Sequence, residues 1–215
     1  MQLSIKHIVP IPLKEKTTIS NSDVWNKECT FSSGEFVKIK ASSGSGKTTL
    51  VHILYKLRND FSGSVLYNQE DMRQLTAEQI AQARQQHISI VFQDLRLFPQ
   101  LTIRENIELK RVLQKPLYES NMIDTMANRL GIGHILQQKA MLCSYGEQQR
   151  AAIIRALIQP FEILLLDEPF SHLDQANSNN AATLIEEECA KRNAGFILTD
   201  LDDDDRFNYT RKLNL

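Results

Sequence analysis

The stretch Ala41-Ser42-Ser43-Gly44-Ser45-Gly46-Lys47-Thr48-Thr49 lies between a strand-like run, Glu35 to Lys40, and a helix-like run, Lys47 to Leu57. In that place it reads as a phosphate-binding loop, with ATP or GTP as the expected ligand. A polyphosphate calls for backbone N–H groups turned inward together, the positive end of a helix behind them, and one mobile cation. Gly44 and Gly46 let the chain wrap closely because neither carries a Cβ. Ser42, Ser43, Gly44, Ser45, Gly46, Lys47, Thr48 and Thr49 are therefore the candidate nucleotide-binding residues. Lys47 is expected to reach the outer phosphates, and the Thr48 hydroxyl to hold Mg²⁺. Ala41 stands where the pattern usually begins with Gly, so the entry to the loop is expected to be slightly altered.

Working outward, the apolar run Ile163-Leu164-Leu165-Leu166 ends on Asp167 and Glu168. The carboxyl end of a strand is where open parallel sheets place ligand chemistry. Asp167 is expected to hold the Mg²⁺ shell from the side opposite Thr48, and Glu168 to polarise the water that attacks the γ-phosphate. Upstream, Ser144-Tyr145-Gly146-Glu147 precedes Gln148-Gln149-Arg150 and an Ala/Ile-rich helix, residues 151–158. Ser144 and Glu147 have capping-box spacing, which any helix start can show. A capped helix N-terminus with a Gly in its first turn is also an anion site.

The rest of the chain has the alternation of an α/β fold. Residues 1–40 read as short strands and turns, and residues 61–68 as a turn and strand. Thr76 and Gln79 predict a capping box opening a helix through Gln86. His87 to Phe92 and Gly195 to Thr199 read as strands, short continuous apolar runs suited to burial on both faces. From Asp94 to about Gln138 the period is helical, clearest over residues 103–113 and 122–130, which predicts a helical insert. Lys38 and Lys40 do not fit a central parallel strand. The run Asp202 to Asp205 is expected to be a solvated loop, since it lacks the Gly and closing Glu of a calcium loop.

A chain of 215 residues accommodates one large α/β domain with a smaller insert. The formal net charge of −1 gives no electrostatic reason to expect nucleic acid or an anionic membrane surface. Cys29, Cys143 and Cys189 have neither metal-ligand spacing nor a paired framework, which fits a reducing cytoplasm. No run approaches the roughly eighteen apolar residues needed to span a bilayer, so a membrane role is expected only through a partner.

Taken in order, the phosphate loop, Phe92-Gln93-Asp94, Ser144 to Arg150, Ile163 to Pro169 and Ser171-His172-Leu173-Asp174 resemble the nucleotide-binding ATPase of ABC transporters over nearly the whole chain. Residues 91–107 and the Glu-Gln-Gln-Arg after Gly146 are more similar to the small stand-alone ATPases of the lipoprotein-releasing, macrolide-export and cell-division group. The resemblance implies a mostly parallel P-loop (RecA-like) sheet core with an antiparallel β subdomain, over residues 1–93 and 155–215. It also implies an inserted α-helical subdomain carrying the signature motif, over residues 94–154. It implies a head-to-tail homodimer burying two ATP molecules, each between the phosphate loop of one subunit and Ser144, Gly146 and Glu147 of the other. Gln93 is then expected to contact Mg²⁺ or the attacking water beside Lys47 and Glu168, and Asp174 to report across the interface. The implied product is an ATPase using Mg²⁺ at the inner face of the membrane, driving a separate transmembrane permease subunit.

Where the family usually has His at a strand end, this chain has Asp200, which repels the γ-phosphate at short range when ionised. Tyr145 replaces a frequent Gly, positioned to pack or to crowd the dimer interface. No Phe, Tyr or Trp precedes Trp25, so the adenine-stacking ring has no clear match; Trp25 is read as core, and base recognition is expected to be weak. Phe92, Leu95, Leu97, Phe98, Pro99 and Leu101 form an apolar cluster where family members receive a short helix from the membrane subunit. Most of these side chains are expected to be buried as subdomain core. His172 is read as a spacer. Two functions fit: a motor subunit, favoured by Lys47, Thr48, Gln93, Asp167 and Glu168, or an assembly or regulatory module with little hydrolysis, favoured by Ala41, Tyr145 and Asp200. A P-loop kinase has no need of the Ser144 to Arg150 signature.

Overall fold

In a computed structural model, residues 1–14 and 21–215 are described, and they form two sheets with six α-helices. The larger sheet is parallel, with strands β3 (Phe36–Lys40), β6 (Ile88–Val91), β7 (Ile163–Asp167), β8 (Gly195–Asp200) and β9 (Arg211–Asn214) in the order β6-β7-β8-β3-β9. The smaller is antiparallel, with β1 (Gln2–Pro10), β2 (Glu28–Ser32), β4 (Phe61–Tyr67) and β5 (Glu70–Asp71) in the order β2-β1-β4-β5. The helices are α1 (Lys47–Leu54), α2 (Ala77–Gln86), α3 (Ile103–Val112), α4 (Asn121–Arg129), α5 (Tyr145–Leu157) and α6 (Gln175–Lys191). This is the expected α/β architecture. β1 is longer than the short strands expected near the start, and it absorbs a register shift between Lys6 and Val9.

The parallel strands are apolar throughout because each face meets a different core. On β7, Ile163 and Leu165 join the cluster shared with α1 and the antiparallel sheet, while Leu164 and Leu166 join the cluster shared with α3, α4, α5 and α6. β8 divides in the same way, with Ile197 on one face and Phe196 and Leu198 on the other. The period of two explains why continuous apolar runs and not alternating ones mark these strands.

Three capping boxes fix helix starts: Thr76–Gln79 before α2, Thr102–Glu105 before α3 and Ser144–Glu147 before α5. Each satisfies two otherwise orphaned N–H groups. Helices α3, α4 and α5 pack on one another between β6 and β7 in the chain.

Two sequence expectations are corrected. The run Asp202 to Asp205 is not simply solvated: the Asp204 carboxylate pairs with Lys38, which is fully buried on β3, and Asp203 pairs with Lys40. These pairs also explain the two lysines in a central strand. Of the apolar cluster at residues 92–101, Leu95 is buried, Phe92, Leu97 and Leu101 are half-buried, and Phe98 and Pro99 are exposed. The cause is local: Leu95 (φ 57°) and Arg96 (φ 51°) both take left-handed backbone, which turns the chain outward.

Candidate functional site

The phosphate loop joins the end of β3 to the start of α1. The Ala41 N–H continues the sheet by donating to the carbonyl of Asp200 (3.0 Å), and Ala41 does not adopt positive φ, so Gly is not required there. Gly44 (φ 75°) and Gly46 (φ 107°) do need left-handed backbone. A Cβ on Gly46 would sit 2.8 Å from Leu13 Cδ1 and 3.1 Å from the Trp25 ring. Trp25 is fully buried beneath the loop, and its indole N–H donates to the Ser45 carbonyl (3.3 Å). It is a core residue that supports the loop. Ser45 also closes the turn on itself, its hydroxyl donating to the Ser42 carbonyl (2.7 Å).

Lys47 is buried at the first turn of α1 and donates to the carbonyls of Ala41 (3.0 Å) and Ser42 (3.3 Å). Its ammonium also lies 3.2 Å from Glu168 Oε1. Gln93 Nε2 donates to Glu168 Oε2 (3.3 Å), and the Thr48 hydroxyl donates to Gln93 Oε1 (2.9 Å). Lys47, Glu168, Gln93 and Thr48, taken from three separate segments, thus form one connected set of contacts. With Ser43, Gly44, Gly46 and Thr49 they line a cleft of about 260 Å³.

Asp167, at the end of β7, accepts from the Thr199 hydroxyl (2.9 Å) through Oδ1, and its buried Oδ2 has no partner. Burial is the main influence and pushes its carboxyl up; the Thr199 and Thr48 hydroxyls oppose the rise and Glu168 adds to it. An orphaned carboxylate oxygen beside a threonine hydroxyl and an amide oxygen is the hard-oxygen donor set that suits Mg²⁺. Glu168 follows in left-handed backbone (φ 47°), a conformation costing about 1–3 kcal/mol for a residue with a Cβ. Gln149, fully buried on α5, stabilises this turn, its amide donating to the Glu168 carbonyl (3.2 Å) while its oxygen accepts from the His172 N–H (3.1 Å). Sequence reasoning placed Gln149 in the motif without a role. A buried amide beside a helix start was the available signal.

The remaining predicted residues lie apart from the cleft. Ser144 caps α5, exposed, with its hydroxyl donating to Glu147 Oε2 (2.8 Å) and accepting from the Glu147 N–H (3.3 Å). The Ser144 hydroxyl and N–H hold the Glu147 carboxyl below its usual range. Gly146 is close-packed on the loop after β7, where a Cβ would meet the His172 carbonyl at 3.0 Å. Asp174 caps α6, accepting from the Asn177 N–H (2.8 Å), and is exposed. None of Ser144, Gly146, Glu147 or Asp174 lines the phosphate-loop cleft. Tyr145 joins the two parts: its hydroxyl donates to the Gln93 carbonyl (3.1 Å) and its ring meets His172 edge-on (4.3 Å). Asp200, at the end of β8, is half-buried with its carboxyl raised, chiefly by burial, while its oxygen accepts from the Leu201 N–H (2.7 Å).

No helix among the described residues is long and apolar enough to cross a membrane. A family model described as ABC transporter matches residues 25–171. The lipoprotein-releasing system ATP-binding protein LolD of Shewanella frigidimarina is 36% identical over 167 residues, covering 77% of this chain and 70% of that protein. Among solved structures, a dimeric form of MJ0796, a bacterial ABC transporter cassette, aligns with TM-score 0.78 at 24% identity over 93% of this chain and 88% of that one. A dimeric post-hydrolysis state of the same cassette, bound to ADP and Pi, aligns with TM-score 0.77 at 26% identity over the same shares of 93% and 88%.

Proposed function

The chain belongs to the ABC transporter family of ATP-binding cassettes, and from that premise we propose that it hydrolyses ATP as a subunit that closes head to tail on a second copy and drives a separate membrane protein. One observation carries this reading: the phosphate loop, Gln93 and Glu168 converge on one cleft, whereas Ser144, Gly146, Glu147 and Asp174 lie outside its lining, with Ser144 and Asp174 exposed. An anion site split in this way is completed by a neighbouring copy. Each subunit then contributes half a cage, so a triphosphate favours closure and loss of the γ-phosphate weakens it.

Within the cage, Lys47 leaves its contacts with Glu168 and with the loop carbonyls to meet the outer phosphates. Released from Lys47, Glu168 accepts a proton from the attacking water, and its left-handed backbone, held by Gln149, keeps the carboxylate aimed into the cleft. Thr48, Gln93 and Asp167 would hold Mg²⁺, whose chemistry there is to neutralise charge building on the phosphate oxygens. Gln93 also reports on the site, since its side chain touches Thr48 and Glu168 while its carbonyl is held by Tyr145. Residues 1–93 and 155–215 act as the nucleotide-binding core, and residues 94–154 as a helical subdomain that moves against it. The membrane partner holds the protein at the inner face of the membrane.

Nucleotide-dependent assembly is the test. The Glu168→Gln protein with saturating Mg-ATP should run as a dimer by light scattering, and Lys47→Ala should lose nucleotide binding. A Glu168→Gln protein that stays monomeric, or full ATP affinity in Lys47→Ala, overturns the reading. A second reading, an assembly or regulatory module with little turnover, is favoured by the Asp200 carboxyl, which stands where the family usually has a hydrogen-bond donor to phosphate. Steady-state hydrolysis beside the Glu168→Gln control separates the two.

A further inference from the structure

Of the hydroxyls that line the phosphate-loop cleft, that of Thr49 is held from outside it. The Arg58 guanidinium, half-buried just beyond α1, donates through Nη1 to Thr49 Oγ1 (3.3 Å). Asp60 fixes the rest of the guanidinium: Nε donates to Oδ1 (2.9 Å) and Nη2 pairs with Oδ2. A planar fork gripped on one carboxylate keeps little freedom, so the N–H that meets Thr49 is aimed. Asp60 is also tied to the supports of the loop, since its carbonyl accepts from the Ile11 N–H (2.9 Å). Ile11 opens the turn Ile11–Leu13, and the Leu13 side chain lies against Gly46.

Hydroxyl chemistry sets what this does to Thr49. A threonine in a helix commonly turns its proton back to a carbonyl three or four residues earlier. Here the Ser45 carbonyl already accepts from the Trp25 indole N–H, and the Gly46 carbonyl from the Leu50 N–H (2.8 Å). The Thr49 hydroxyl donates to no acceptor among the described residues, and with Arg58 on a lone pair its proton is left for the cleft. Successive helix residues point about 100° apart. The Thr48 hydroxyl turns to Gln93, which touches Glu168, so Thr49 faces the other end of the cleft.

We propose that Arg58 is a positioning residue for the nucleotide: braced by Asp60, it holds Thr49 so that the hydroxyl donates to an inner phosphate, one that ATP and ADP share. The assignment rests on the ATP-binding reading and adds how the diphosphate part is gripped. Asp60 neutralises the guanidinium, so Arg58 acts through Thr49 and not as a charge drawn to the phosphates.

Calorimetric titration of the whole protein with Mg-ADP and with a non-hydrolysable Mg-ATP analogue, beside steady-state hydrolysis, provides the test. Arg58→Gln should weaken both nucleotides by the same factor, about fivefold, and Thr49→Val by about tenfold. The KM for ATP should rise while turnover at saturation stays within about twofold. In the Thr49→Val background, Arg58→Gln should add nothing. Arg58→Lys keeps the charge but loses the fork, and should bind as weakly as Arg58→Gln. Asp60→Asn, which loosens the fork without touching Thr49, should give a smaller loss that is again equal for the two nucleotides. Full affinity in Arg58→Lys, losses that add in the double variant, or a loss confined to the ATP analogue overturns the proposal. So does a fall in turnover with KM unchanged. If Lys47→Ala loses nucleotide while every Arg58 and Asp60 variant binds as the parent does, this assignment alone falls; if Lys47→Ala binds normally, the ATP-binding reading falls with it.

Discussion

Two buried lysine–carboxylate pairs sit on this one fold, Lys47–Glu168 at the phosphate loop and Lys38–Asp204 on β3. Their difference lies in what surrounds them. Asp204 also borders a cleft, of about 620 Å³, but its hydrogen-bonding shell is filled: the Tyr209 hydroxyl donates to both oxygens (2.9 and 3.1 Å), the Arg206 N–H to one (3.0 Å), and Lys38 lies over the Tyr209 ring at 5.6 Å. Around Glu168 it is open. The carboxylate faces a cleft, its backbone is left-handed, and the neighbouring Asp167 Oδ2 has no partner. A buried ion pair is thus no sign of function by itself. Hydrogen-bonding capacity left unused beside an opening, with strain held in place by a buried amide, is what separates a site from a structural cross-link.

The largest test of this contrast is Glu168→Gln. Turnover should fall by about 10³-fold, the usual contribution of a positioned general base, while thermal stability changes little, because the Lys47 ammonium keeps its two loop carbonyls. A stability loss as large as the activity loss, measured by calorimetry beside ATP hydrolysis, would erase the distinction.

Asp204→Asn should behave in the opposite way. Breaking a buried pair strands the Lys38 charge, and a loss of about 3 kcal/mol is expected, with turnover per folded molecule unchanged. Burial alone would raise the Asp204 carboxyl, but bonds from Lys38, the Arg206 N–H and the Tyr209 hydroxyl bring it below the usual carboxylate range. Its folded value therefore lies below the unfolded one, about 3.9. The pair stabilises fully at pH above that value, and its contribution disappears as pH falls through the folded value. Urea midpoints across that acid range should decline less steeply in Asp204→Asn than in the parent, and a parallel decline would show that the pair is not the cause.

Tyr145→Phe probes the link between the open pair and the signature helix. The bond from its hydroxyl to the Gln93 carbonyl is exposed, so its loss should cost about 1 kcal/mol. In the Glu168→Gln background the ATP-induced dimer should weaken by up to about fivefold, with ATP affinity at low protein concentration unaltered. An unchanged dimer constant means the hydroxyl plays no part in closure.

The same contrast shows what a sequence reveals. The phosphate loop, the strand ending on Asp167 and the capping boxes at Thr76 and Ser144 are written within a few neighbouring residues, where spacing is geometry. Lys38 and Asp204 lie 166 residues apart, and Tyr145 and Gln93 are 52 apart. No local period connects them, and each looks like an anomaly until the sheet brings its partner near. The edge strand β9 shows no local signal for the same reason, since its pairing partner is β3. The apolar run around Phe98 misleads in another way. Composition suggests core, but after the two left-handed residues Leu95 and Arg96 the Phe98 ring is exposed.

Asp200 stands where the two regions meet. Burial raises its carboxyl first, the Leu201 N–H and Lys38 pull it back, and the charges of Asp204 and Glu168 raise it again, so it senses both pairs at once. Asp200 lies outside the lining of the phosphate-loop cleft; on the proposed reading its ionised carboxylate repels the γ-phosphate, whereas an imidazole in its place offers a donor. Asp200→His should raise the single-turnover rate by a few-fold, with Asp200→Asn between the two because it removes the charge and supplies an amide. An effect this small is set by solvent screening at a half-exposed position. A lower or unchanged rate in Asp200→His would mean that the carboxylate belongs with the closed Lys38–Asp204 shell, and that the open site runs without a donor at this strand end.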